Sequence, residues 1–290
     1  MAHEAVVSWM MGGIHGAQSA MPAASSMPLP TTFSVARLAA ALAAWERNAR
    51  EAARWAHPSW WAPALDVPPP AVFASFDALR EALASAHNGT ISICSLALLR
   101  ALQVAMPDFN SLRAPDPKVL DALPVDDGLR VLRMRALLLR RTEVRRLIDK
   151  QSRRRIAQWV GVPLERLTLA MGHAMDQPVP ANVRSPVIEL GHRPALDTID
   201  EERLAYEGYA LIAHDMQGES DSAIPVGRQV RARLDEEGTP RPCPLLRLAL
   251  PRDVPPPWFN PSVRELDASG TALLFAQLPE LLPEWGWLFG

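Results

Sequence analysis

Cysteine is scarce in this 290-residue chain: Cys94 and Cys243 stand far apart and in no metal-ligand spacing. A disulfide framework and a structural zinc site therefore have no support. Long apolar runs are missing as well, so nothing reads as a membrane span. The opening residues lack a basic leader followed by an unbroken apolar stretch, so no secretory signal is read and the cytoplasm is the expected compartment. A glycosylation match at 88–90, "NGT", then carries no meaning. Net charge of one sign is also small, −2 overall, which gives no global attraction to nucleic acid or anionic lipid. Catalytic signatures are missing too. No HExxH, His-rich tract, paired-carboxylate constellation or Gly-rich phosphate loop occurs, and "GESDS" (218–222) lacks the second glycine and the strand-turn-helix setting of a nucleophile elbow. No catalytic, cofactor-binding or metal-ligating residue is assigned.

What is present is proline, 28 residues, about twice the usual ~5%. It clusters in "DVPPPAVF" (66–73), "QPVPANVRSP" (177–186) and "TPRPCPLLRLALPRDVPPPW" (239–258), which read as extended connectors or turns. Apolar residues at 48% and charged residues at 21% are ordinary for a folded globular protein. Residues 1–33 show no period and are expected to be a flexible tail; 34–290 are expected to form one body.

Within that body the patterns are helical. "SVARLAAALAAWERNAREAARWAH" (34–57) is alanine-rich with Ser34 as its cap. "SFDALREALASAHNG" has Ser75 as cap, Asp77 in the first turn and Asn88-Gly89 as its stop. "SLALLRALQVAM" (95–106) is apolar on most sides and predicts a central core helix, with Cys94 a buried thiol beside it. Leu129 to Leu139 is apolar all round, which implies burial. A helical pattern continues past a Gly161–Pro163 break, "DEERLAYEGYALIAHDM" (200–216) is capped by Asp200, "LLRLAL" looks β-like, and a last helix falls near 270–282. The class is mainly α: a helical bundle-like single body with proline-rich connectors and at most a few short strands.

His57, in "WAHPSWW", reads as a packed or capping histidine rather than a ligand or general base. The nine tryptophans fall near helix ends and in "PPPWFNP" and "EWGWLFG"; there large rings pin connectors to a helical body, with interface anchoring as the second reading.

The densest charge lies between Leu129 and Arg155, where eleven basic residues stand against Glu143 and Asp149. Three readings compete: internal compensation by acidic neighbours, docking of an acidic protein partner, and nucleic-acid binding through 130–155. From Arg140 onward an apolar stripe at i, i+3 and i+4 (Val144, Leu147, Ile148) points three side chains inward. That turns Arg141, Arg145, Arg146 and Lys150 toward solvent as candidate partner-binding residues.

"HPSWW" (57–61), "RVLRMRALLLRRTEVRRLIDKQSRRRIAQWVG" (130–161), "LLRLALPRDVPPPW" (245–258) and the terminal "LFG" together resemble the cytoplasmic accessory protein of bacterial type III secretion systems, the SctK/YscK/PscK family, most closely its Hrp-type branch. The resemblance covers roughly residues 34–290. It implies a non-catalytic adaptor without cofactor, located in the cytoplasm and peripheral to the inner membrane. Its implied partners are the cytoplasmic domain of the inner-membrane ring protein (SctD-like) and the pod protein (SctQ-like), with the stator-like protein and ATPase reached indirectly. It implies neither nucleic-acid binding nor membrane insertion. The alternative is a regulatory protein that binds nucleic acid through 130–155.

Overall fold

A computed structural model describes residues 35–65, 78–79, 81–108, 111–175, 195–220, 241–253 and 270–290. The expectations for the 1–33 tail, for the caps Ser34, Ser75 and Asp77, and for the proline clusters at 66–73 and 177–186 lie outside these residues. No strand occurs among them. The principal helices are α1 (Val35–Trp55), α2 (Asn88–Ala101), α3 (Val125–Leu139), α4 (Arg141–Arg146), α5 (Lys150–Val160), α6 (Leu164–Met175), α7 (Glu201–Ser220) and α8 (Gly270–Leu281). Single-turn pieces are named by their residues.

At the centre is α3, where Val131, Leu132, Met134, Ala136 and Leu137 are all buried. It packs chiefly on α7 and also touches α5, α6 and α8. The expectation that 129–139 is largely buried holds, with Leu129, Arg130, Arg133 and Leu139 half-buried. Two bulky helices do not normally come into backbone contact, and glycine permits it here. A Cβ placed on Gly208 of α7 would lie 1.7 Å from the carbonyl oxygen of Leu132. Downstream, α5 ends at Gly161, whose φ of 72° is the left-handed cap that glycine adopts without strain, so the Gly161–Pro163 break is a helix stop and restart.

The second layer is α1 with α2 and the 3₁₀ turn Pro117–Ala122. Five expectations change here and at the corner after α4. Asn88-Gly89 does not stop a helix: His87 accepts the Gly89 N–H at 3.1 Å and so caps the start of α2. Nor is α2 a central helix, because Ile91, Leu98 and Leu99 are buried while Ile93 and Leu96 are exposed. Cys94 is half-buried for the same reason. "LLRLAL" is the 3₁₀ turn Leu246–Ala249, and Ile148 points out instead of in, as described below.

The 3₁₀ turn at 246 has its partner in the core. Asp121, fully buried, accepts N–H bonds from Leu245 at 3.1 Å and Leu246 at 2.8 Å. Burial drives its carboxyl up, the two amides draw it down, and the balance is about 7. In the unfolded chain the same group titrates near the ordinary aspartate value of 3.8. The folded state thus holds this proton more tightly, and the stability it confers is complete below pH ~4 and lost as pH rises through ~7. Lys118, Asp116 and Cys243 are the neighbouring titratable groups. Asp121→Asn is expected to lower stability by about 1 kcal/mol, because its amide nitrogen faces one of the two N–H donors. It should also flatten the stability-versus-pH curve between pH 5 and 8 relative to the wild type. Urea melts of both proteins across that range check this, and parallel curves would show that Asp121 titrates normally.

Candidate functional site

The arginine-rich segment divides, and the division follows the helices that carry it. On α3, Arg135 is fully buried and donates to Asp215 of α7 at 2.8 Å and to Thr271 of α8 at 2.9 Å, while Thr271 also donates to Asp215. Burial alone would raise the Asp215 carboxyl. The hydrogen bond from His214, the charge of Arg135 and the bonds from Thr271 and Arg135 hold it below the usual carboxylate range. This clasp ties together the three helices at the centre.

At the end of α3, Arg140 is 1% exposed and reaches Glu207 through Nε at 3.0 Å and Nη2 at 2.9 Å, with Glu143 at 3.0 Å from Nη1. Glu207 is adjacent to Gly208, so the close approach of α7 to α3 is what brings this carboxylate within reach. Other arginines find partners nearer the surface. Arg130 pairs with Asp127 at 2.6 Å, Arg133 with the Trp159 carbonyl at 3.0 Å, Arg153 with Glu165, and Arg155 with the Asp197 carbonyl at 2.9 Å. For these six the partner lies within the fold: an acid for five of them, Arg133 reaching Glu201 at 3.6 Å, and a backbone carbonyl for Arg155.

The remaining cations behave otherwise. Arg145, Arg146, Lys150 and Arg154 are exposed and Arg141 is half-buried. Among the described residues none of the five pairs with an acid. All four candidate residues therefore lie on one stretch, α4 and the first residue of α5. The inward stripe behind them is shorter than the spacing suggests. Val144 is buried and Leu147 packs against the core, but the helix ends at Leu147, whose ψ of 106° is extended. The chain turns there, and Ile148 is 95% exposed.

A second constellation joins two of the motifs. His57 caps the turn Pro58–Trp60 by accepting the Ser59 N–H at 3.2 Å, and its Nδ1 lies 2.8 Å from the Ser59 hydroxyl. Its Nε2 lies 3.4 Å from Glu202, whose carboxyl is pushed up by burial and by Asp200 and Glu201. Acid, imidazole and hydroxyl in a row suggest hydrolytic chemistry. The Ser59 hydroxyl, however, makes one of several bonds that fasten "HPSWW" to residues 245–253. The Ser59 hydroxyl accepts the Arg252 N–H at 2.8 Å, Leu248 accepts the His57 N–H at 2.6 Å, and Trp60 Nε1 donates to the Leu250 carbonyl at 2.8 Å. Arg247, buried, donates to the carbonyls of Pro251 and Arg252 and lies 4.9 Å from the centre of the Trp60 ring. The capping role expected of His57 holds, as does ring packing for Trp45, Trp60 and Trp61. Trp9 and Trp258 lie outside the described residues.

No group of three or more His, Cys, Asp or Glu among the described residues is arranged to hold a metal ion. An open groove of about 240 Å³ between α1 and α2 is lined by Glu46, Arg47, Arg50, Glu51 and Arg54. Arg50 pairs with Glu46 at 2.5 Å and Arg54 with Asn88 at 2.6 Å. No helix of the described residues is long and apolar enough to cross a membrane.

Sequence reasoning missed the buried members: Arg135, Arg140 and Arg247 with their partners Glu207 and Asp215, and Asp121. One signal was available. An arginine inside a stretch that is apolar all round has to be paired, though spacing does not say with which acid.

Comparison with known proteins bears on the whole arrangement. The family described as bacterial type III secretion protein (HrpB4) matches residues 32–284. No curated protein and no solved structure matches. The chain belongs to the HrpB4 family of bacterial type III secretion proteins, in agreement with the resemblance drawn from its motifs.

Proposed function

We propose that this member of the family is a non-catalytic cytoplasmic adaptor of the secretion apparatus. It links the cytoplasmic domain of the inner-membrane ring protein to the pod protein, and through the pod to the stator-like protein and ATPase. The observation that carries the reading is the division of the basic segment. Six of eleven cations are consumed by the fold, and the other five stand together on α4 and α5 with no acid of the described residues against them. Exposed charges contribute only ~0–1 kcal/mol to folding, whereas complementary charge raises encounter rate and fixes orientation in a complex. Internal compensation explains the first set, and docking of an acidic partner explains the second.

Arg145→Glu combined with Arg146→Glu is expected to leave the melting temperature within ~2 °C. The same pair should weaken association with the ring or pod protein by about tenfold or more, and added salt should weaken the wild-type complex in the same direction. Thermal melts with titration against each partner check this. Unchanged affinity with normal folding would assign these residues to a solvated face.

A further inference from the structure

Ile148 stands at the corner between α4 and α5, and the corner is built to hold it outward. Leu147 closes α4 by donating its N–H to the Val144 carbonyl at 3.3 Å. Two residues on, the Asp149 carboxylate accepts the N–H groups of Gln151 at 3.3 Å and Ser152 at 2.6 Å, capping α5. Arg153, itself paired with Glu165, reaches back to the Leu147 carbonyl at 3.4 Å. The chain on both sides of Ile148 is thus fixed by hydrogen bonds, while its side chain is 95% exposed.

Cations outnumber acids in the chain around it. Arg145 and Arg146 end α4, Lys150 opens α5 and Arg154 follows one turn later, all four exposed. The two nearby acids are engaged, Glu143 by Arg140 and Asp149 by the amides of α5. An isolated exposed isoleucine is ordinary. One held on a hydrogen-bonded corner within a collar of four cations has the make-up of an anchor, an apolar core inside a charged rim.

Resting on the adaptor reading, we propose that Ile148 is the anchor of the docking face and inserts into an apolar socket on an acidic protein surface of the secretion apparatus. Arg145, Arg146, Lys150 and Arg154 pair with the carboxylates around that socket. The collar steers and orients; the isoleucine slows dissociation.

The test uses the full chain, titrated separately with the purified cytoplasmic domain of the ring protein, with the pod protein, and with vesicles of equal parts phosphatidylcholine and phosphatidylglycerol. Ile148→Ala is expected to weaken one protein complex by about tenfold and to leave the melting temperature within ~1 °C, while Ile148→Leu binds nearly as the wild type. Equal affinity of wild type and Ile148→Ala overturns the anchor and leaves the adaptor reading standing. Vesicle binding that Ile148→Ala abolishes, with protein affinities unmoved, overturns it in favour of a membrane contact. A clear fall in melting temperature shows Ile148 to be packed and overturns it as well. A wild type that binds neither protein removes the adaptor reading and the anchor together.

Discussion

Gly208→Ala is expected to lower stability by about 3 kcal/mol or more, a fall in melting temperature of roughly 6–12 °C for a chain of this size. In an isolated helix the same change is favourable by ~1 kcal/mol, so the sign of the result decides between helix propensity and packing. The added methyl would lie 1.7 Å from the Leu132 carbonyl oxygen, and a backbone oxygen inside a helix cannot swing aside. Relief requires α7 to move off α3, which lengthens the bonds between Arg140 and Glu207. Gly128→Ala is the control. Its Cβ would first meet the Leu246 methyls at 2.9 Å, side-chain atoms rather than backbone, and a smaller loss of ~1 kcal/mol is expected. Thermal melts of the two variants should therefore differ clearly, and equal melting temperatures would mean that the two helices are not in backbone contact.

Glu207→Ala is expected to be as damaging, at about 3–5 kcal/mol, because it leaves the Arg140 guanidinium buried with Glu143 as its remaining carboxylate partner among the bonds described above. The loss is one of pairing, not of volume. The double change Arg140→Met with Glu207→Leu removes both charges and should recover most of the wild-type stability, since a buried ion pair is often matched by apolar residues of similar size. A double-mutant cycle read by urea unfolding gives the coupling directly. If the double variant is as unstable as the two single losses summed, the pair is not the coupled unit described here.

These two sites show where the sequence was readable. The all-round apolar character of 129–139 marked α3 as the centre, and the helical class followed from spacing and caps, so the body was legible in outline. Arg135 and Arg140 carried half a signal: their position within a buried stretch demanded acids, but Glu207 and Asp215 lie 67 and 80 residues further along. Only tertiary packing selects them. Gly208 had no local mark at all, because its reason is the backbone of another helix. "LLRLAL" misled because its apolar run looks like a strand, whereas two of its backbone donors are taken by the Asp121 carboxylate and three more by carbonyls within the same short segment. Asn88-Gly89 misled because a residue pair common after helices also fits behind a histidine cap. The candidate face was legible as exposed arginine, but Ile148 was not, since the i, i+4 rule assumes a helix that in fact ends at Leu147.

The central claim is that this chain connects two other components, and one reconstitution tests it most directly. The ring protein's cytoplasmic domain and the pod protein are combined with and without the full chain, and the masses of the complexes are measured by size-exclusion chromatography with light scattering. The account predicts a ternary complex only when the chain is present, and its loss with Arg145→Glu plus Arg146→Glu at an unchanged melting temperature. Direct association of ring and pod proteins without the chain, or a chain that binds neither, would contradict it.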